Sequence, residues 1–109
     1  MFPTLDGLVH VPARLQLVAL LAAAGVDEEL TFPELQHLTA TTAGNLSTHL
    51  RRLEDAGYVA VTKGYDERTP VTRVSLTGEG RERFEMYRRA MTRHLDGSLA
   101  IELLQEVRQ

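Results

Sequence analysis

Cysteine is absent from the 109 residues of this chain, which excludes a disulfide-stapled scaffold and any thiolate metal site. Long apolar runs are missing too. None approaches the roughly 20 residues that a membrane-spanning helix needs, and the longest, Leu17 to Val26, is alanine-rich and follows Arg14 and Gln16. Met1-Phe2-Pro3-Thr4 has no basic stretch, so no secretory signal is expected and the chain reads as cytoplasmic. Constellations for chemistry are equally scarce. His10, His37, His49 and His94 are scattered, with no pair at the three- or four-residue spacing that places two side chains on one helix face. Ser47 and His49 stand two apart and point different ways on a helix, so they are not a nucleophile and its base. No pair of carboxylates stands out for acid–base work. These absences point away from an enzyme and from a bound metal or other cofactor.

A positive net charge is lacking as well. The formal value of −3 at pH 7 speaks against a generic binder of polyanions, but the charges are segregated. Residues 1–40 carry one arginine against five carboxylates, whereas residues 41–93 carry Lys63 and nine arginines against seven. Local field, not total charge, steers a polyanion to a face. Hydrophobic content of 43% and charged content of 25% suit one globular domain with a modest core.

Residues 1–10 read as an N-terminal arm. Pro12 suits a first helical turn, where its missing N–H has no intrahelical partner to lose. Leu15, Leu17, Val18, Leu20 and Leu21 then cover most of a helix circumference to Ala24, the pattern of a buried helix, and Gly25 fits its end. Thr31-Phe32-Pro33-Glu34 has the capping-box pattern, a hydroxyl at the cap and a carboxylate three residues on. It opens a short helix to about Leu38, with Leu35 and Leu38 inward. Thr39 to Thr41 is the turn, Thr41 or Thr42 caps the next helix, and Gly57 stops it.

Tyr58 to Thr62 reads as a strand, Lys63 to Thr69 as a loop, and Pro70 to Leu76 as the returning strand. Thr77 caps a longer helix, about 78–94, with Phe84, Tyr87, Met91 and Leu95 at three- and four-residue spacings. Gly78-Glu79-Gly80 resembles a dinucleotide-binding turn only superficially. Arg83 stands where the third glycine belongs, so the segment reads as a helix N-terminus. Asp96-Gly97 interrupts, and a last helix carries Leu99, Ala100, Leu103, Leu104 and Val107 on one side.

The helix after Thr42 carries the functional signal. At 100° per residue, Leu50 and Leu53 fall within about 40° of Leu46 and form the core stripe. Gly44, Thr48, Arg51 and Asp55 point the opposite way, Asn45 and Arg52 flank that outer face on one border, and Ser47 lies near the other. Such a face matches the edges of nucleic acid. Asn bonds bidentately to adenine, hydroxyls donate or accept, and Arg binds guanine or phosphate. Gly44 admits close backbone approach at a helix start, where the dipole favours phosphate. Lys63, Arg68 and Arg73 on the hairpin are further cations for phosphate or a minor groove, with Arg68 nearest the tip. Asp66 and Glu67 on the same hairpin oppose such contacts. The DNA-binding set is therefore Thr42, Gly44, Asn45, Ser47, Thr48, Arg51, Arg52, Lys63, Arg68 and Arg73. His49, on the border of the core stripe, is expected to be packed and hydrogen-bonded.

Gly44-Asn45-Leu46-Ser47-Thr48-His49-Leu50-Arg51-Arg52-Leu53-Glu54-Asp55-Ala56-Gly57-Tyr58-Val59, the hairpin, and Leu76-Thr77-Gly78-Glu79-Gly80-Arg81 carry a resemblance. Residues about 5–92 resemble the winged helix-turn-helix domain of MarR/ArsR-like DNA-binding transcriptional regulators, in particular the small single-domain group. The last motif is similar to the family's leucine–threonine–x–x–glycine start of the dimer helix. The resemblance implies a mainly α fold with a small β-hairpin and C-terminal dimerisation helices. It also implies a homodimer regulating transcription from double-stranded DNA at a near-palindromic operator. Metal-sensing relatives carry cysteines where this chain has Leu35, Gln36, His37 and Leu38, so metal sensing by that route is not implied.

The expected organisation is an arm over 1–10, the DNA-binding domain over 11–94 and a dimerisation helix over 95–109, with helix 1 packing against both C-terminal helices. A tail folded back on its own core is the competing arrangement. A winged-helix module that binds protein through the acidic residues 1–40 is the competing function. A small-molecule effector is not specified; Phe84, Tyr87 and Met91 could line a pocket for one but read first as packing.

Overall fold

A computed structural model describes residues 5–108. In chain order the elements are α1 (Pro12–Ala24), β1 (Glu29–Thr31), α2 (Phe32–Thr39), α3 (Ala43–Asp55), β2 (Val59–Asp66), β3 (Thr69–Leu76), α4 (Gly78–Leu95) and α5 (Ser98–Arg108). Each helix boundary has a local cause. Thr31 Oγ1 accepts from the Glu34 N–H while Glu34 Oε1 accepts from the Thr31 N–H, closing the expected capping box. Thr42, not Thr41, caps α3 by accepting from the Asn45 N–H at 3.2 Å. At its other end, Gly57 at φ +80° allows two closing bonds, Gly57 N–H to Glu54 O and Tyr58 N–H to Leu53 O. These are the paired bonds of a Schellman motif, which satisfies carbonyls that a helix end leaves orphaned.

The core forms where α1, α2 and α3 meet one face of a small sheet. Leu17, Val18 and Leu21 of α1, Leu35 of α2, and Leu46, Leu50 and Leu53 of α3 are buried together with Val59, Val74 and Leu76. Two inward assignments need correction. Leu38 is half exposed, because α2 ends within one turn and only Leu35 reaches the core. Likewise α1 is not enclosed all round: Gln16 and Ala19 face solvent, and Leu15 and Leu20 are only half-buried.

The sheet is antiparallel in the order β1-β3-β2. Its first strand was not expected. Glu29-Leu30-Thr31 is too short to show alternation, and Thr31 serves both as the last strand residue and as the helix cap. The hairpin also differs from expectation. Strand pairing continues from Val59↔Leu76 to Asp66↔Thr69, so the supposed loop over 63–69 shrinks to the turn Glu67-Arg68. Polar residues on both faces hid these strand ends, since here main-chain pairing rather than burial defines the strand. Pro70 lies beyond the last β1 pairing, Thr31↔Arg73, where its missing donor deprives no neighbour.

The described part of the arm is anchored. Val9 is fully buried, and Asp6 binds Tyr58 and Arg83. The C-terminal end projects. Overall extents are 68 × 25 × 21 Å with a radius of gyration of 17.0 Å, against the roughly 13 Å of a compact chain this long. The tail therefore does not fold back on the core. Helix α5 rests on α4, burying Leu99 and pairing Arg93 with Glu102. Helix α1 meets α4, where Leu15 and Ala19 lie beside Tyr87 and Met91, and His10, just ahead of α1, has its Nδ1 2.8 Å from the Tyr87 hydroxyl.

Candidate nucleic-acid interface

Burial of Leu46, Leu50 and Leu53 turns the opposite side of α3 to solvent. Thr42, Gly44, Asn45, Ser47, Thr48, Arg51 and Arg52 are all exposed there. Helix geometry leaves the first N–H groups without intrahelical partners, and Thr42 takes only that of Asn45. Thr48 spends its hydroxyl proton on the Gly44 carbonyl at 3.0 Å, so its oxygen faces outward as an acceptor. The described ion pairs are Arg83–Asp6, Arg88–Glu85 and Arg93–Glu102. None draws on Arg51, Arg52, Lys63, Arg68 or Arg73, so these cations are not neutralised by a partner carboxylate.

Strand register divides the hairpin into two unlike faces. Directly opposed residues share a face, and successive residues alternate. Val59, Val61, Lys63 and Tyr65 therefore lie with Leu76, Val74, Thr72 and Pro70 on the side that packs toward α3. Thr62 and Asp66 lie on the other side with Thr69, Arg73 and, across β1, Thr31. Lys63 and α3 thus look into the same space, whereas Arg73 is half-buried on the far face of the sheet. Arg68 occupies the turn itself, exposed, beside Glu67 at φ +58°. The structure brings seven of the ten sequence-derived residues together on α3, adds Lys63 beside them, places Arg68 at the tip and separates Arg73.

A clamp behind α3 was not visible in the sequence. The Tyr58 hydroxyl donates to Asp6 Oδ2 at 2.7 Å, and Arg83 donates to the same oxygen at 3.0 Å. Arg83 also donates to the Ala56 carbonyl at 2.9 Å, with its guanidinium carbon 4.3 Å from the centre of the Tyr58 ring. Burial alone would raise the Asp6 pKa, but the bonds from Tyr58 and the Leu8 N–H, with Arg83 alongside, hold it below the ordinary carboxylate value. Burial, reinforced by the Asp6 carboxylate, pushes the Tyr58 phenol up. A buried tyrosine hydroxyl demands a partner. Nothing in the sequence singles out an aspartate 52 positions earlier.

Gly80 is the second hidden element. A Cβ there would meet the Tyr58 carbonyl oxygen at 2.1 Å, so the start of α4 can lie against the strand only as glycine. That carbonyl accepts from the Thr77 N–H at 3.0 Å, and the Thr77 hydroxyl is shared between it, at 3.1 Å, and the Gly57 carbonyl, at 2.5 Å. His49 departs from expectation. It is packed, but its buried Nδ1 has no hydrogen-bond partner among the described residues. Burial first, then the charges of Arg14 and Arg52, depress its pKa below the usual histidine value.

A three-helix core, an α2–turn–α3 pair with one polar cationic face, and a two-stranded hairpin beside that face define a winged helix-turn-helix protein. The chain belongs to the winged helix DNA-binding domain family, whose model matches residues 13–95. Among solved structures it is similar to a transcriptional regulator homologue from Pyrococcus horikoshii OT3. That match has 28% identity and a TM-score of 0.77, and covers 84% of this chain and 88% of the other. It is also similar to a possible transcriptional regulator for arsenical resistance, at 27% identity and a TM-score of 0.55, over 85% and 90% of the two chains. NadR, solved in complex with 4-hydroxyphenylacetate, matches at 25% identity and a TM-score of 0.61, over 87% of this chain and 69% of that one. No curated protein matches the chain. Among the described residues no helix is long and apolar enough to cross a membrane.

Proposed function

We propose that the protein is a homodimeric transcription regulator that binds double-stranded DNA at a near-palindromic operator in the cytoplasm, without catalytic activity. The observation that carries this reading is the outward side of α3, which is exposed, polar and cationic, with its arginines free of partner carboxylates among the described residues. Placed in a major groove, α3 presents Asn45, Ser47 and Thr48 to base edges, while Arg51 and Arg52 reach the backbone. Arg68 leads the wing toward the neighbouring groove. Two copies related by a two-fold axis would set two such helices about 34–36 Å apart, one helical repeat of DNA.

The apolar stripe on the projecting tail supports the second copy. Leu95, Ile101, Leu104 and Val107 are 78%, 58%, 51% and 84% exposed. A monomer rarely leaves so many large apolar side chains in water at one end.

Base readers and backbone grippers are separable by mutation. Starting from a duplex selected out of a random pool, Asn45→Ala or Thr48→Ala should change the preferred sequence and cost roughly 1–3 kcal/mol on that duplex. Arg52→Ala should weaken selected and scrambled duplexes by the same factor. Identical behaviour of both kinds of variant would remove α3 as the reading element, and no binding of any duplex would remove the function.

A further inference from the structure

Residues 6–10, just ahead of α1, form a tight turn that holds itself together. The Asp6 carbonyl accepts from the Val9 and His10 N–H groups, and Asp6 Oδ1 accepts from the Leu8 N–H at 3.0 Å. Val9 anchors the turn in the core, and Arg14 Nε of α1 donates to the Leu8 carbonyl. Two side chains of the turn, four residues apart, meet two side chains four residues apart on α4. Asp6 pairs with Arg83, and His10 lies against Tyr87. Arg83 and Tyr87 share one face of α4, since four residues make little more than one helical turn. Through Arg83 and the Tyr58 hydroxyl, the same turn is tied to Ala56 and Tyr58 at the C-terminal end of α3. A solvent-exposed ion pair holds little. Here the Arg83 and Asp6 side chains are only 33% and 22% exposed, and they share the contact with a fully buried tyrosine.

We propose that the turn over 6–10 is a splint that sets the direction of α4 relative to α3, with Asp6 and His10 as positioning residues for the spacing of two DNA half-sites. Spacing selectivity of this kind rests on the dimeric DNA-binding reading above, to which it adds a part of the chain outside the recognition helix and the wing. Beyond its first turn α4 has few backbone neighbours among the helices and strands except α5. Leu15 and Ala19 of α1 lie beside Tyr87 and Met91, but apolar packing is non-directional. The bonds from the turn are directional, and they act near the base of a long lever. Eighteen residues at about 1.5 Å each make α4 about 27 Å long. On that length, a tilt of about 10° at the base moves the far end, next to the apolar tail, by roughly 5 Å. Such a shift exceeds the rise of about 3.4 Å per base pair, and it occurs in both subunits. A loosened splint therefore lets the two α3 helices settle on half-sites one or more base pairs away from the preferred spacing.

A duplex is selected from a random pool with the intact chain, and base pairs are then added or removed between its two half-sites. Affinity for each spacing, and for a duplex with one half-site, is read by fluorescence anisotropy. The intact chain is compared with Asp6→Ala and with Tyr87→Phe, which removes only the hydroxyl beside His10. Leu21→Ala, at a core residue outside the splint, is the control for lost stability. One base pair of mis-spacing should cost the intact chain roughly tenfold, as a mismatched base pair does. For Asp6→Ala and Tyr87→Phe that penalty should shrink to roughly threefold or less, while binding to one half-site stays within about twofold of the intact chain. Leu21→Ala should melt lower and keep the full penalty. Should Asp6→Ala fail to fold, Tyr87→Phe decides. An unchanged penalty in every splint variant that folds, or the same relaxation in Leu21→Ala, would overturn the splint and leave DNA binding standing. An intact chain that selects a duplex but is indifferent to spacing would overturn the dimeric reading, and the splint with it. Selection of no duplex at all would remove DNA binding as well.

Discussion

Gly80 shows how one absent side chain fixes a junction. The Tyr58 carbonyl receives two bonds from Thr77 and lies where a Cβ on residue 80 would stand, 2.1 Å from the oxygen and 2.8 Å from the carbonyl carbon. Both are backbone atoms, so no rotamer change relieves the clash. Gly80→Ala should therefore destabilise the fold by roughly 3 kcal/mol, the upper range for overpacking. In a thermal melt that corresponds to a drop on the order of 15 °C for a domain of this size. Gly78→Ala is the matched control, since nothing lies within 4 Å of a Cβ there, and it should melt within a few degrees of the parent. The reverse order of the two variants would mean that α4 does not meet the strand at Gly80. At this scale the sequence was informative about caps and stops. Thr31, Thr42, Thr77 and Gly57 carry their signals locally, within three or four residues. It was silent on the Asp6–Tyr58–Arg83 clamp, because those partners meet only after the chain has closed on itself.

At the scale of elements, α3 was the most legible part of the chain. Its apolar spacing and polar face are one-dimensional patterns, and the structure keeps both. The hairpin was half legible. Its solvent-exposed end has no alternation to read, so Lys63–Asp66 reads as loop in sequence, and the face on which each wing cation lies is visible only with the register. Leu38 misled for a related reason: helical periodicity shows which residues share a face but not where a short helix leaves the core.

The contact between α1 and α3 has a consequence for acid. Packed His49 has its pKa lowered by burial and by Arg14 and Arg52, whereas in the unfolded chain it titrates near 6.5. Between those two values the unfolded chain binds the extra proton. Stability is thus fully present above about 6.5 and declines as pH falls through the folded pKa. Melting measured from about pH 7.5 to about pH 5.5 should fall more steeply for the parent than for His49→Gln. Parallel curves would show that His49 is not held neutral by its surroundings.

Over the described residues the molecule is elongated, and its tail packs along α4. The sequence left two arrangements open for that tail, and the choice depended on distances that spacing alone does not encode. With the folded-back arrangement gone, the exposed stripe of Leu95, Ile101, Leu104 and Val107 calls for another surface. In the proposed dimer a second copy would cover the stripe and double the helix proposed to face DNA.

The most direct test of a paired, DNA-binding α3 is the salt dependence of DNA binding, measured for the intact chain and for Leu104→Glu, with oligomeric state followed by sedimentation. If each subunit neutralises about 4 phosphates, the intact chain should be dimeric with a log–log slope near −7, and Leu104→Glu should sediment as a monomer with about half that slope. A slope near zero for the intact chain, or a full slope from a Leu104→Glu monomer, would contradict a paired, cationic helix face gripping DNA.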